Sequence, residues 1–282
     1  MSPEMKRLRI SAISYLNTAP LMWDFEHGAA QSLFDISYTL PSRCAASLKA
    51  GSADIGIIPA AAYPGNPELN VLPGVAIASR NAVRSILLVS KAPVEQVRTV
   101  AMDNSSLTSV ALTKVLFAKH WGGERTYASM EPDLHSMLAK CDAGLIIGDP
   151  ALQIDRSRYI TYDLADEWVR WTRKPFVFAF WAVRQAAVAD LASNLDLPSI
   201  FQESRNHGLL PPNLEKIVDG WTRRLPLSKA DIRTYLTQNI HYYLDAECIA
   251  GLRLFYEYAA ECGVLPRVAS LHFLADVKTA VS

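Results

Sequence analysis

The chain is predicted to be an α/β protein with two α/β domains around a cleft. Strand-like and helix-like segments alternate from Leu8 to Ile58, the order that builds a largely parallel sheet flanked by helices. A second alternation begins at Thr99. An aromatic and β-branched run, Phe176 to Val183, then leads the chain back toward the first unit, and most of the chain beyond it has a helical pattern. The expected domains are therefore discontinuous. Residues 1–91 and 176–282 form a large domain carrying the C-terminal helices, and residues 92–175 form a small one, with crossings near 90–95 and 172–178.

Leu8 to Ile13 is an apolar run of strand length, and Thr18 to Phe25 starts a helix that tolerates Pro20 in its first turn. Phe34 to Leu40 has strand composition. Pro41-Ser42 then opens a helix, Arg43 to Ala50, which Gly51 stops. Asp54 to Ile58 is a short strand ending at Pro59, and Val75 to Ser79 and Ser85 to Ser90 are two more. In the second unit, strand Thr99 to Met102 leads through Asp103-Asn104-Ser105-Ser106 into a helix, Thr108 to Lys119. Strands are expected at Tyr127–Met130, Leu145–Ile147 and Arg158–Tyr162, with a short helix at Met137–Lys140. Near the end, helices are expected at Leu227–Tyr243, with Ser228 as its cap, and at Ala246–Cys262; in the latter, Leu252, Phe255, Tyr256 and Ala259 keep the 3.6-residue period. Pro226 and the run Gly263 to Pro266 break the pattern.

Composition narrows the function. The 282 residues are half hydrophobic, and 28 basic residues balance 28 acidic ones, so nothing suggests a nucleic-acid partner. The one basic cluster, Arg170, Arg173 and Lys174, is interrupted by Trp171 and reads as a solvated rim. Cys44, Cys141, Cys248 and Cys262 form no CxxC pair, and buried thiols of a reducing compartment are expected. The N-terminus has no long apolar segment behind its charges, so neither a signal peptide nor a membrane span is expected and the location is cytoplasmic.

Four loops are candidates for the cleft. The first is Ser14-Tyr15-Leu16-Asn17-Thr18, at the carboxyl end of the first strand, where open α/β sheets hold ligands. Asn17 offers a donor and an acceptor, and Ser14 and Thr18 offer hydroxyls. Capping is the plainer reading of those three residue types. The second loop is Pro41-Ser42-Arg43 and the third is Ser79 to Ser85. The fourth is Asp103 to Ser109, where Ser105, Ser106, Thr108 and Ser109 surround a helix start. A helix N-terminus presents unpaired amides and favours an anion, and four hydroxyls in five residues exceed what one cap uses. Asp149, in Gly148-Asp149-Pro150 after an apolar strand, is expected to support the site from behind, since a carboxylate is unsuited to face an anion directly.

The usual catalytic signatures are missing. There is no HExxH, no GxSxG and no dinucleotide fingerprint, and the six histidines, His27, His120, His135, His207, His241 and His272, are scattered. An anion-binding cleft without an evident nucleophile fits either a binding protein or an enzyme that works by orientation and electrostatics.

The loops also carry a family resemblance. The segments ISYLNTAPL (13–21), LPSRCAASLKAGSADIGIIP (40–59), PGVAIASRNAVRSILLVSK (73–91) and VAMDNSSLTSVAL (100–112) resemble the chorismate dehydratases of the futalosine route to menaquinone. IIGDPAL (146–152), DLADEW (163–168), KPFVFAFWAVR (174–184) and the final helices continue the likeness over nearly the whole chain. The resemblance implies a type II periplasmic-binding-protein-like fold used by a cytoplasmic enzyme, a carbon–oxygen lyase. It implies chorismate and its dehydration product, 3-[(1-carboxyvinyl)oxy]benzoate, as partners, with no metal, organic cofactor, nucleic acid or membrane. It also implies Asn17 and Ser85 as the catalytic pair, and a monomer or weak homodimer. Ser14, Thr18, Ser42, Arg43, Ser105, Ser106, Thr108 and Asp149 are the candidate substrate-binding residues. The related 1,4-dihydroxy-6-naphthoate synthases usually open with a Ser-Pro-Cys-Pro-Asn-Asp type loop, where this chain has Ser-Tyr-Leu-Asn-Thr-Ala-Pro. Ala60-Ala61-Ala62 before Tyr63 departs from the more polar segment common in relatives. The other readings are that synthase, a non-catalytic binding protein for a small carboxylic acid, and a silent sensor.

Overall fold

A computed structural model describes residues 7–189 and 195–274. Its ten strands are β1 (Leu8–Ile13), β2 (Phe34–Thr39), β3 (Ile55–Pro59), β4 (Leu69–Ser79), β5 (Ile86–Ser90), β6 (Thr99–Asp103), β7 (Thr126–Met130), β8 (Ala143–Ile147), β9 (Ile160–Asp163) and β10 (Phe176–Arg184). They form two five-stranded sheets, ordered β2-β1-β3-β10-β4 and β7-β6-β8-β5-β9.

In the first sheet β1 pairs parallel with β2 and β3, with Ile10 opposite both Ile36 and Ile55. β10 enters antiparallel between β3 and β4, placing Ala179 opposite Pro59 and Phe176 opposite Ser79. Its first residues therefore lie at the same edge as the carboxyl ends of β1 to β3. Every residue of β3, and all of β10 but its last, is buried, as expected of central strands covered on both faces. In the second sheet β6 runs parallel to β7 and β8, while β5 is antiparallel to β8 and β9.

The position of β5 alters the expected crossing. The sequence reading keeps Ser85 to Ser90 on the large-domain side, but β5 pairs inside the second sheet, so the chain passes between sheets at 80–85. The return crossing lies between the helix Leu164–Thr172 and β10. Arg84 and Arg173, at these two crossings, have φ of 65° and 59°, a left-handed conformation uncommon outside glycine. Asp163 holds the first in place by accepting the Val83 and Arg84 amides at 3.0 and 2.6 Å.

Several segments differ from expectation for identifiable reasons. The long helix expected at Leu227–Tyr243 is only Lys229–Thr234, continued by one wide π turn, Tyr235–Asn239. Beyond it the backbone pairs with β4: the His241 amide donates to Ala78 O and the Ala78 amide donates back, at 2.8 and 2.9 Å. Covering an otherwise open sheet edge outweighs the helical pattern there. The segment after β1 is a 3₁₀ run, Leu16–Met22, containing Pro20, and only Trp23–His27 is α-helical. The acidic stretch after β9 forms a helix whose cap, Asp163, accepts the Ala165 and Asp166 amides.

One apolar cluster extends through both domains, joined at the return crossing by Trp168, Phe176 and Phe255, whose rings meet edge to face at 5.3 and 5.0 Å. Gly251 lets the helix Ala246–Glu261 press on that crossing, since a Cβ there would collide with the Pro175 carbonyl. A smaller cluster, including Leu87, Met137 and Ile146, fills the outer side of the second sheet. Among the described residues, no helix is long and apolar enough to cross a membrane.

Candidate active site

A cavity lies between the sheets at the strand carboxyl ends. Each of the four candidate loops supplies part of its wall: Tyr15 and Asn17; Pro41; Ser85; and Ser106 to Ser109. Ile13, Pro59, Ile77, Ile147, Phe178 and Ala179 form the apolar remainder. Among the described residues, this wall contains no Lys, Arg or His.

The helix Leu107–Leu116 points its N-terminus at the cavity. Ser106 occupies the cap position, yet its side chain accepts no capping hydrogen bond, so the self-capping explanation of its hydroxyl fails. Its carbonyl accepts the Val110 amide, leaving the amides of Leu107, Thr108 and Ser109 ahead of the first intrahelical bond. Ser105 is turned away: its amide and hydroxyl both donate to Asp103 Oδ1, at 2.8 and 2.6 Å. The Thr108 hydroxyl joins the domains, donating to Phe178 O at 3.0 Å and accepting the Ala61 amide at 3.1 Å. Ser106 and Ser109 are thus the hydroxyls of this helix start that remain available to a ligand.

On the opposite wall, Asn17 is half-buried and Ser85 is fully buried. The Tyr235 hydroxyl donates to Ser85 Oγ at 2.9 Å. Burial pushes the Tyr235 phenol well above its ordinary range, so it stays protonated. Thr18 lies behind Asn17, its hydroxyl donating to Asn17 Oδ1 at 3.3 Å. Ser14 is exposed, and its Oγ accepts from Arg224 at 3.3 Å. Ser42 is half-buried, Arg43 is exposed, and neither lines the cavity; Pro41 does.

Asp149 sits behind the wall. Its carboxylate accepts the Leu16 amide at 3.1 Å, tying the turn after β8 to the loop after β1. Burial raises its pKa to about 6 against the opposing effects of that amide and Arg224. The adjacent Gly148 has φ of 65°, donates its amide to Ser85 O at 2.8 Å and presses on the Tyr15 ring. Burial and nearby Asp103 raise the Tyr15 phenol.

Sequence reasoning missed Tyr235, whereas Tyr15 and Ser109 were placed in the candidate loops without an assigned role. Tyr235 lies in a segment that carries the resemblance, but a tyrosine on a helical apolar face reads as core. Away from the cavity, His241, Asp245 and Cys248 bring potential ligand atoms within 4.8 Å of one another. They are already committed: Asp245 binds Arg80 at 2.8 Å and His241 at 2.7 Å, and burial beside Asp245 pushes the Cys248 thiol up to about 12.

Comparison with known proteins agrees with this architecture. The chain matches the menaquinone biosynthesis family over residues 8–261. It is 28% identical over 261 residues to a chorismate dehydratase of Thermus thermophilus, covering 86% of this chain and 92% of the relative. Among solved structures, an Archaeoglobus fulgidus protein superposes with a TM-score of 0.72 at 17% identity, covering 92% of this chain and 98% of the other. The periplasmic aliphatic sulphonate binding protein of Escherichia coli gives 0.63 at 17% identity, over 97% and 94%. At such identities the likeness is one of fold, and it is the periplasmic-binding-protein fold of two α/β domains around a cleft. With its fold and its sequence in agreement over nearly the whole chain, the protein belongs to the menaquinone biosynthesis family.

Proposed function

We propose that the protein is a chorismate dehydratase, a hydro-lyase that converts chorismate into 3-[(1-carboxyvinyl)oxy]benzoate in the cytoplasm. The observation that carries the reading is a neutral cavity bounded by an open helix N-terminus on one side and the Asn17–Ser85 pair on the other. The Thermus relative supplies the name of the reaction.

The reaction removes the C3 proton and the C4 hydroxyl. Deprotonation at C3 sends charge through the ring double bond into the ring carboxylate. The C3–C4 double bond then forms, the C4–O bond breaks, and hydroxide leaves with the abstracted proton as water. Atoms and charge balance without a redox partner, and aromatisation supplies the driving force. The ring carboxylate is assigned to the amides of Leu107 to Ser109 and the Ser106 hydroxyl, where a helix N-terminus stabilises growing negative charge. Asn17 holds the substrate by its amide, and Ser85 donates to the departing hydroxyl.

With no histidine or lysine on the wall, the enolpyruvyl carboxylate of the substrate serves as the base. A carboxylate in a mostly apolar cavity without Lys, Arg or His on its wall keeps a basicity that a guanidinium partner would suppress. The test is incubation of the purified protein with chorismate and identification of the benzoate product by chromatography and NMR. Saturable binding of chorismate without product would replace the enzyme by a binding protein. The companion variant is Asn17→Asp, which places a negative charge beside a dianion: turnover collapses while circular dichroism stays that of the wild type. Near-normal turnover in the folded variant would remove Asn17 from its role.

A further inference from the structure

Tyr235 and Ser85, 150 residues apart in sequence, form a hydrogen bond at the wall of the cavity. The Tyr235 hydroxyl donates to Ser85 Oγ. A serine hydroxyl has one proton and accepts through its lone pairs. With Oγ receiving the Tyr235 proton, the Ser85 proton is directed elsewhere. Ser85 lines the cavity, and among the described residues its hydroxyl has no other protein partner. The Ser85 proton is therefore left for the substrate space.

We propose that Tyr235 is a positioning residue of the dehydration, which sets the direction of the Ser85 proton so that it meets the departing C4 hydroxyl. This rests on the reading of the cavity as a chorismate dehydratase site. Tyr235 is the first residue of the wide turn Tyr235–Asn239, and single π turns recur where a helix must aim a functional side chain. Burial keeps the phenol protonated, so Tyr235 retains a proton to donate across the working pH range.

The test begins with Tyr235→Phe, which deletes one oxygen and keeps the buried ring. kcat falls about 10- to 100-fold, the range in which positioned proton donors act. KM changes less than about threefold, because the substrate carboxylates are held elsewhere. The reading that distinguishes positioning from scaffolding is the cycle with Ser85→Ala, measured by single turnover with enzyme in excess. If Tyr235 acts through Ser85, adding Tyr235→Phe to Ser85→Ala lowers the rate less than about twofold. Wild-type kcat in folded Tyr235→Phe, an equal loss in both backgrounds, or a loss confined to KM would overturn the assignment. Failure of the wild type to form product from chorismate would instead remove the dehydratase reading, and this inference with it.

Discussion

Replacing Gly148 by alanine gives a test whose size can be worked out from the geometry. Its φ of 65° places an alanine in the left-handed region, at a cost of about 1–2 kcal/mol. The new Cβ would also lie 2.9 Å from Tyr15 Cε2 and 3.0 Å from Cζ. Relieving such overpacking costs about 1–3 kcal/mol, so the two effects together come to about 2–5 kcal/mol while Tyr15 stays in place. Tyr15 lines the cavity, and the Gly148 amide is bonded to Ser85 O, so turnover should fall by more than a stability loss alone would produce. Urea unfolding of Gly148→Ala in the wild-type and Tyr15→Leu backgrounds separates the contributions. Without the ring, only the backbone cost of about 1–2 kcal/mol remains, a coupling of about 1–3 kcal/mol. Equal costs in the two backgrounds, or a cost below about 0.5 kcal/mol in the wild type, would refute the reasoning.

Ser106→Ala should weaken binding of the benzoate product in calorimetry and leave the urea midpoint unchanged, because its hydroxyl caps nothing; a lower midpoint with unchanged affinity would restore the capping role. Thr108→Ala should do the reverse, losing about 1–3 kcal/mol of stability, since it strands the buried Ala61 amide and Phe178 carbonyl. Asp149→Asn should stabilise the protein at pH 7.5. Native Asp149 holds its proton up to about pH 6, whereas the unfolded chain releases it near pH 4. Stability is therefore lost as pH rises through that window, by at most about 3 kcal/mol. The asparagine still accepts the Leu16 amide and has no charge to bury. Unfolding at pH 4.5 and 7.5 should show a shallower decline for the variant, and an unchanged slope would show that Asp149 titrates normally.

The α/β class, the return of the chain at Phe176 and the loops that meet at the cavity were all legible in the amino-acid order. Those features are written locally, in apolar runs of strand length and in Asn, Ser, Pro and Gly at their carboxyl ends. The family was legible for the same reason, as ISYLNTAPL and VAMDNSSLTSVAL are contiguous. Which sheet β5 joins was settled only by packing, because an all-buried run such as Ile86–Ser90 pairs equally well in either. Packing also selects the hydroxyls that face the ligand: Ser105 is drawn to Asp103, Thr108 to Ala61 and Phe178, and Ser106 and Ser109 are left. Tyr235 reaches Ser85 across 150 residues, and no local pattern encodes such a contact. A periodicity describes which face of an element is buried; which polar atom that face meets depends on elements packed against it from elsewhere in the chain.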